Sequence, residues 1–249
     1  MRVNEIYNEN CLDTMARMED DFIDLTVTSP PYDDLRTYNG YRFDFENVAK
    51  ELYRVTKKGG VVVWVVNDKT KKGSETGTSF RQALFFMECG FNLHDTMIWK
   101  KDKYVPLTHN RYEQQFEYMF IFSKKKPITV NHIMIDAIHA GKKPKRTFYQ
   151  TSDSKKPTEE HTSKTVGKKK IKGNVWTFNP QSLGNGHPAI FPEQLANDHI
   201  ISWSNENDIV YDPFMGSGTT SKMAKLNNRN YIGSEISDEY CNIANERLT

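Results

Sequence analysis

Short apolar runs alternate along this chain with stretches whose apolar residues fall at helical spacing. "FIDLTVT" (22–28) reads as a strand, and "FENVAKELYRVTK" (45–57) reads as a helix stopped by Gly59-Gly60. "VVVWVV" (61–66) is apolar throughout, as a strand buried on both faces must be. "SFRQALFFMECG" (79–90) predicts a second helix, and "LHDTMIWKK" (93–101) and "FEYMFIFSK" (116–124) predict two more strands. The alternation resumes after Asn174. There "FPEQLANDHIISWS" (191–204) predicts a helix, "DIVYDPF" (208–214) a strand and "TSKMAKLNN" (220–228) a helix. "NYIGSEI" (230–236) follows as a strand, and "SDEYCNIANERLT" (237–249) as a helix capped by Ser237. Strand-helix alternation of this kind implies an α/β fold, a mostly parallel sheet covered on both faces.

The pattern breaks once. Residues 124–173 hold fourteen Lys and Arg against four Asp and Glu, with few apolar runs. The remaining organisation is 1–123 and 174–249 as two halves of one domain, with 124–173 as a basic insertion between them. The formal net charge of the chain is only +2, so any argument for a polyanionic partner rests on this local excess. Its basic blocks supply Lys142, Lys143, Lys145, Arg146, Lys168, Lys169 and Lys170 as candidate phosphate contacts.

Bulk composition adds exclusions. A chain of 249 residues buries a sizeable core. No apolar stretch approaches the roughly 20 residues that span a bilayer, and the start "MRVNEIYNEN" lacks the apolar segment of a secretory signal. Cys11, Cys89 and Cys241 are scattered, which fits a reducing, cytoplasmic setting and gives no zinc spacing. His94, His109, His132, His139, His161 and His199 form no metal-ligand pattern, and His187 is assigned to a turn.

Two short motifs carry chemistry. The first is "DPFMGSGTT" (212–220), set between a predicted strand and a predicted helix. Gly216 and Gly218 allow close approach of backbone to a ligand at the carboxyl end of a strand. Asp212 stands at that edge, and Glu235 ends the next strand at the spacing of an acid that bonds ribose hydroxyls. A P-loop would need lysine beside Gly218, and a dinucleotide fingerprint would need glycine where Ser221 stands. A short Gly-x-Gly between Asp212 and a ribose acid, with Phe214, Ser217, Thr219 and Thr220 in the turn, suits S-adenosylmethionine instead. That ligand has no phosphate, and its amino group needs an acceptor such as Asp212.

The second motif is Ser29-Pro30-Pro31-Tyr32, directly after the first predicted strand. Prolines cannot donate to a sheet ladder and push the residue before them toward extended backbone. The corner is therefore stiff, and it presents a hydroxyl, carbonyls and an aromatic ring. An exocyclic amine of adenine or cytosine is a poor nucleophile because its lone pair is delocalised. Acceptors for both N–H groups favour a pyramidal nitrogen, and Tyr32 offers a stacking face for a base taken out of the duplex.

These motifs, in this order, resemble the S-adenosylmethionine-dependent DNA amino-methyltransferases that modify cytosine N4 or adenine N6, in their permuted beta arrangement. "TSPPY" looks like the catalytic motif, "DPFMGSGTT" the cofactor motif and "YIGSEI" the strand that bears the ribose acid. "HPAIFP" (187–192) looks like the segment over the methionine end of the cofactor, which implies Pro188, Ala189 and Phe191 as contacts. "NENCLDTM" (8–15) resembles the segment usually written Gly-Asp-Cys-Leu, which implies adenine contacts at Asn10 and Cys11, with Glu9-Asn10 replacing Gly-Asp. The resemblance implies a Rossmann-like methyltransferase with a seven-stranded sheet, one strand reversed. It places residues 33–44 and 67–79 as loops at the substrate edge, with Arg36 and Tyr38 among the types that meet DNA. It implies double-stranded DNA as partner, with a homodimer and a cognate restriction endonuclease as further partners. Within the family Ser-Pro-Pro-Tyr goes more often with cytosine N4, which favours that base; adenine N6 and a catalytically inactive DNA-binding subunit are the alternatives. RNA and protein-amide methyltransferases with similar corners usually carry Asn before the prolines and place the cofactor turn first.

Overall fold

The computed structural model describes residues 1–31, 43–103, 110–143, 165–179 and 192–249. In chain order the elements are β1 (Glu5–Tyr7), α1 (Cys11–Ala16), β2 (Ile23–Thr28), α2 (Phe45–Val55), β3 (Thr56–Val66), β4 (Thr70–Lys71) and β5 (Ser74–Glu75). They continue with α3 (Thr78–Glu88), β6 (Asn92–Lys100), β7 (Phe116–Ser123), β8 (Met134–Asp136), β9 (Lys169–Ile171) and β10 (Val175–Thr177). The last five are α4 (Glu193–Trp203), β11 (Ile209–Asp212), α5 (Thr219–Leu226), β12 (Asn230–Ser234) and α6 (Asp238–Leu248).

The apolar run at 61–66 becomes the middle of the sheet, and every residue of it is buried. The strand order is β1-β12-β11-β2-β3-β7-β6-β10, with β7 antiparallel to both neighbours and the other strands running one way. This is the seven-stranded arrangement with one reversed strand, plus three-residue β10 added at the edge beside β6. Val62, Trp64 and Val66 point to one face, where they pack with Met15 of α1, Leu52 of α2 and Phe86 of α3. On the other face α4 packs on β2 and β3, while α5 packs on β11 and β12.

Connections from β2 lead toward β3, and those from β11 lead toward β12, on opposite sides of the sheet. β2 and β11 are neighbours, so the topology reverses between them, the place where open α/β sheets form a crevice for ligands. Asn8, Glu235, Asp212, Ser29 and Asn67 all lie at the carboxyl ends of parallel strands, on one edge.

One boundary differs from the sequence reading. Gly59-Gly60 does not end α2, which stops at Val55; the chain enters β3 at once. Gly59 has φ +87° and exchanges backbone bonds with a later segment: its N–H donates to Lys124 O at 2.5 Å and its carbonyl accepts from Ile128 N at 3.1 Å. The glycine pair serves a break in register between β2 and β3 instead of a helix cap.

The chain divides into two compact units, residues 1–131 with 174–249, and His132–Gly173. In the second, β8 and β9 form an antiparallel ribbon in which Ile135 pairs with Lys170 and Asp136 with Lys169. No helix among the described residues is long and apolar enough to cross a membrane.

Candidate active site

Thr28 ends β2 one residue before the proline corner. Its hydroxyl donates to Asp212 Oδ1 at 2.6 Å, a buried bond between residues 184 apart in sequence. Thr220, on the first turn of α5, donates its hydroxyl to Val27 O at 3.1 Å. Two bonds therefore stitch the strand that carries Ser29, Pro30 and Pro31 to the turn that carries the glycines. Pro30 is buried, while Ser29 and Pro31 are half-buried at the crevice.

The turn itself is shaped by its backbone donors. Phe214 N–H folds back onto Asp212 Oδ1 at 3.1 Å, and Met215 N–H reaches Ser234 O at 3.0 Å. Gly216 has φ +52° and donates its N–H to Glu235 Oε2 at 2.9 Å. A Cβ on Gly216 would meet no atom of the described residues within 4 Å, so among them this residue faces open space. Gly218 has φ +80° for a different reason. A Cβ there would lie 2.8 Å from Ala244 Cβ on α6, so the glycine lets that helix close against the turn. Arg247, also on α6, holds the outside of the turn through Ser217 O at 2.6 Å and Ser217 Oγ at 2.8 Å, and pairs with Glu193 Oε1 at 2.8 Å.

Asp212 is buried, with no ion-pair partner among the described residues. Burial pushes its carboxyl up to about 6, although the Thr28 and Thr220 hydroxyls and the Phe214 N–H favour the ionised form. Glu235 is also raised by burial, with the N–H groups of Ser237 and Gly216 acting against it. Its two oxygens take those N–H groups at 2.9 Å each and retain lone pairs for a further donor. Asn8 supports the strand end by donating Nδ2 to Glu235 O at 3.1 Å.

The structure brings together Ser29, Pro30, Pro31, Asp212, Phe214, Gly216, Ser217, Gly218, Thr219, Thr220 and Glu235. Asn10 plays a structural part, since its Oδ1 accepts Leu12 N–H at 2.9 Å and caps α1. Cys11 is turned into the core at 3% exposure, and burial pushes its thiol up to about 12. Tyr32, Arg36, Tyr38, Lys145, Arg146, Pro188, Ala189 and Phe191 lie outside the described residues. Lys142, Lys143, Lys168, Lys169 and Lys170 are exposed on the second unit, where Lys169 pairs with Asp136 at 2.8 Å. Thr28 and Asn8 lie inside the motifs "TSPPY" and "NENCLDTM" but have no role of their own in the sequence reading, and Arg247 lies in neither motif.

A family model described as DNA methylase, of the N6 and N4 class, matches residues 23–246. The chain belongs to the N6/N4 DNA methylases. The methylase is 61% identical over 236 residues to orphan methyltransferase M.BamHII of Bacillus amyloliquefaciens, covering 91% of this chain and 88% of that protein. It is 27% identical to type II methyltransferase M.BglII of Bacillus subtilis, over 99% of this chain and 69% of that one. Among solved structures, the M1.HpyAVI–SAM complex matches with TM-score 0.63 at 25% identity, over 98% of the methylase and 99% of that chain. The PvuII DNA methyltransferase, described as cytosine-N4-specific, matches in fold with TM-score 0.73 at 20% identity, over 98% and 86%.

Proposed function

We propose that this DNA methylase moves a methyl group from S-adenosylmethionine to the exocyclic amine of a base flipped out of duplex DNA, with cytosine N4 as the acceptor. The observation that carries this reading is the Thr28–Asp212 bond, which sets the proline corner and the glycine turn side by side at the switch point of the sheet.

The residues present fit the cofactor. Open space at Gly216 among the described residues leaves room for a ligand against the turn, Asp212 offers a buried carboxylate for an ammonium, and Glu235 keeps lone pairs for ribose hydroxyls. When bound, S-adenosylmethionine supplies an electrophilic methyl group on sulfonium. The chain's own contribution is positioning. The Ser29 hydroxyl and the Pro30 carbonyl accept the two amine hydrogens and draw the nitrogen toward a pyramidal form. Tyr32 stacks on the extruded ring, and the prolines hold both acceptors with little freedom to lose. No covalent enzyme intermediate is needed: Cys11 is buried with its thiol pushed up to about 12.

The reading is tested by incubation with labelled S-adenosylmethionine and duplex DNA, followed by digestion to nucleosides. N4-methylcytosine is the expected product. N6-methyladenine alone would move the acceptor to adenine and keep the mechanism. Duplex binding without consumption of cofactor would leave a DNA-binding subunit in its place.

A further inference from the structure

The stretch 67–79, expected as a loop at the substrate edge, instead holds a short hairpin between β3 and the start of α3. β4 and β5 pair through Thr70–Glu75 and Lys71–Ser74, closed by Lys72 (φ +50°) and Gly73 (φ +78°). Positive φ at both central residues is the type I′ turn that fits strand twist. Lysine in that conformation carries a cost of about 1 kcal/mol that Asn or Gly would largely avoid.

The hairpin is fixed at both ends. At its base Asp68 accepts the Thr76 hydroxyl and Ser79 N–H at 3.1 Å each, as well as the Ser79 hydroxyl, and Thr76 N–H donates to Lys69 O at 2.9 Å. At its tip Arg111 donates to Gly73 O and lies 3.6 Å from Glu75. Glu75, the one acid of the hairpin, is thus taken by Arg111. Lys69, Lys71 and Lys72 have no ion-pair partner among the described residues, and Lys71 and Lys72 are exposed.

Its place on the sheet gives the charge a use. Thr28, the residue before the corner, pairs with Trp64, and β3 ends only two residues further on at Val66 before the chain leaves it for the hairpin. A turn-closed cationic tip with no ion-pair partner among the described residues therefore stands on the same edge as the corner, and it is separate in sequence from the basic insertion. We propose that this hairpin is a second phosphate-binding element, in which Lys71 and Lys72 grip the DNA backbone beside the flipped nucleotide; this rests on the reading of DNA as substrate. A preorganised hairpin loses little conformational freedom on binding, and each neutralised phosphate adds about 0.9 to the slope of log affinity against log salt.

The experiment measures duplex affinity across salt concentrations for the full-length wild type, for Lys71→Gln/Lys72→Asn, and for Lys58→Gln, an exposed lysine at the opposite edge of the sheet. Asn suits the positive φ at 72, and thermal melting checks that the fold is retained. The double variant is expected to lose roughly 1.8 from the slope with unchanged cofactor affinity, while Lys58→Gln changes the slope by less than half as much. A double variant with the wild-type slope, or one no different from Lys58→Gln, overturns the hairpin and leaves the methyltransferase reading intact. A wild type that neither binds nor methylates duplex DNA overturns both.

Discussion

The role proposed for Asp212 asks for an anion in a place that opposes charge. Burial lifts it to about 6 from the ordinary 3.8, so between those values the fold holds a proton that the unfolded chain has released. Stability therefore falls as pH rises from about 4 to 6 and levels off above, the sign expected of an acid with a raised pKa. Asp212→Asn removes that dependence, and at pH 8 it is expected to melt higher than wild type, by a margin on the order of 3 kcal/mol from about 1.36 kcal/mol per unit that shrinks toward pH 4. The proposed cofactor contact has the opposite demand, since an ammonium paired with Asp212 needs the ionised carboxylate. Isothermal titration should show wild-type affinity for S-adenosylmethionine dropping as pH falls through about 6. Asp212→Asn should bind ten- to a hundredfold more weakly at pH 8, the loss of one charge-assisted bond of about 1.5–3 kcal/mol. A variant more stable but equally tight in binding would remove Asp212 from the cofactor site.

The two glycines of the turn stand in different surroundings, one against a helix and one proposed to face the ligand. Gly218→Ala forces a methyl group against Ala244 at positive φ, so a stability loss of about 1–3 kcal/mol is expected, read as a lower melting temperature. Gly216→Ala meets no such wall. Its cost to stability should be nearer 1 kcal/mol, while its methyl group projects into open space where the cofactor is proposed to lie, so cofactor affinity should fall more than stability does. Equal losses of affinity in melting-matched samples of the two variants would contradict this split. Most of these elements were legible in the sequence because their signals are local: the apolar run at 61–66, the glycines of the turn, Ser237 before α6. The start of β3 was not, since Thr56-Lys57-Lys58-Gly59-Gly60 is polar and is held in the sheet by bonds to Lys124 and Ile128. Helix α1 has six residues, too few to show a period, and it is announced only by its cap Asn10. Within the site, the motif residues carried their own signature. Thr28 and Arg247 acquire their roles from partners far along the chain, Asp212 and the turn at Ser217, and no spacing rule reaches that distance.

At the scale of the molecule, charge is divided very unevenly. With fourteen basic and four acidic residues in 124–173, the rest of the chain holds twenty basic against twenty-eight acidic, so it repels DNA on balance. Attraction to a duplex must come from local cationic features, and the second unit, His132–Gly173, has the largest supply. Its lysines are not equivalent. Lys169 is paired with Asp136, whereas Lys142, Lys143, Lys168 and Lys170 have no ion-pair partner among the described residues. Neutralising those four with glutamine should therefore lower the salt slope by up to about 3.6, at 0.9 for each phosphate released, and weaken binding to all duplexes alike. Lys169→Gln alone should change it little, because the exposed pair already screens that charge. None of these lysines belongs to the unit that holds Asp212 and Glu235, so S-adenosylmethionine affinity and melting temperature should stay at wild-type values. Site choice is a separate readout. Phosphate contacts position a protein and base contacts specify, so sequencing the DNA modified by the four-lysine variant should return the wild-type site at a lower rate. A changed site would assign base reading to one of these lysines, and an unchanged salt slope would remove the second unit from the DNA interface.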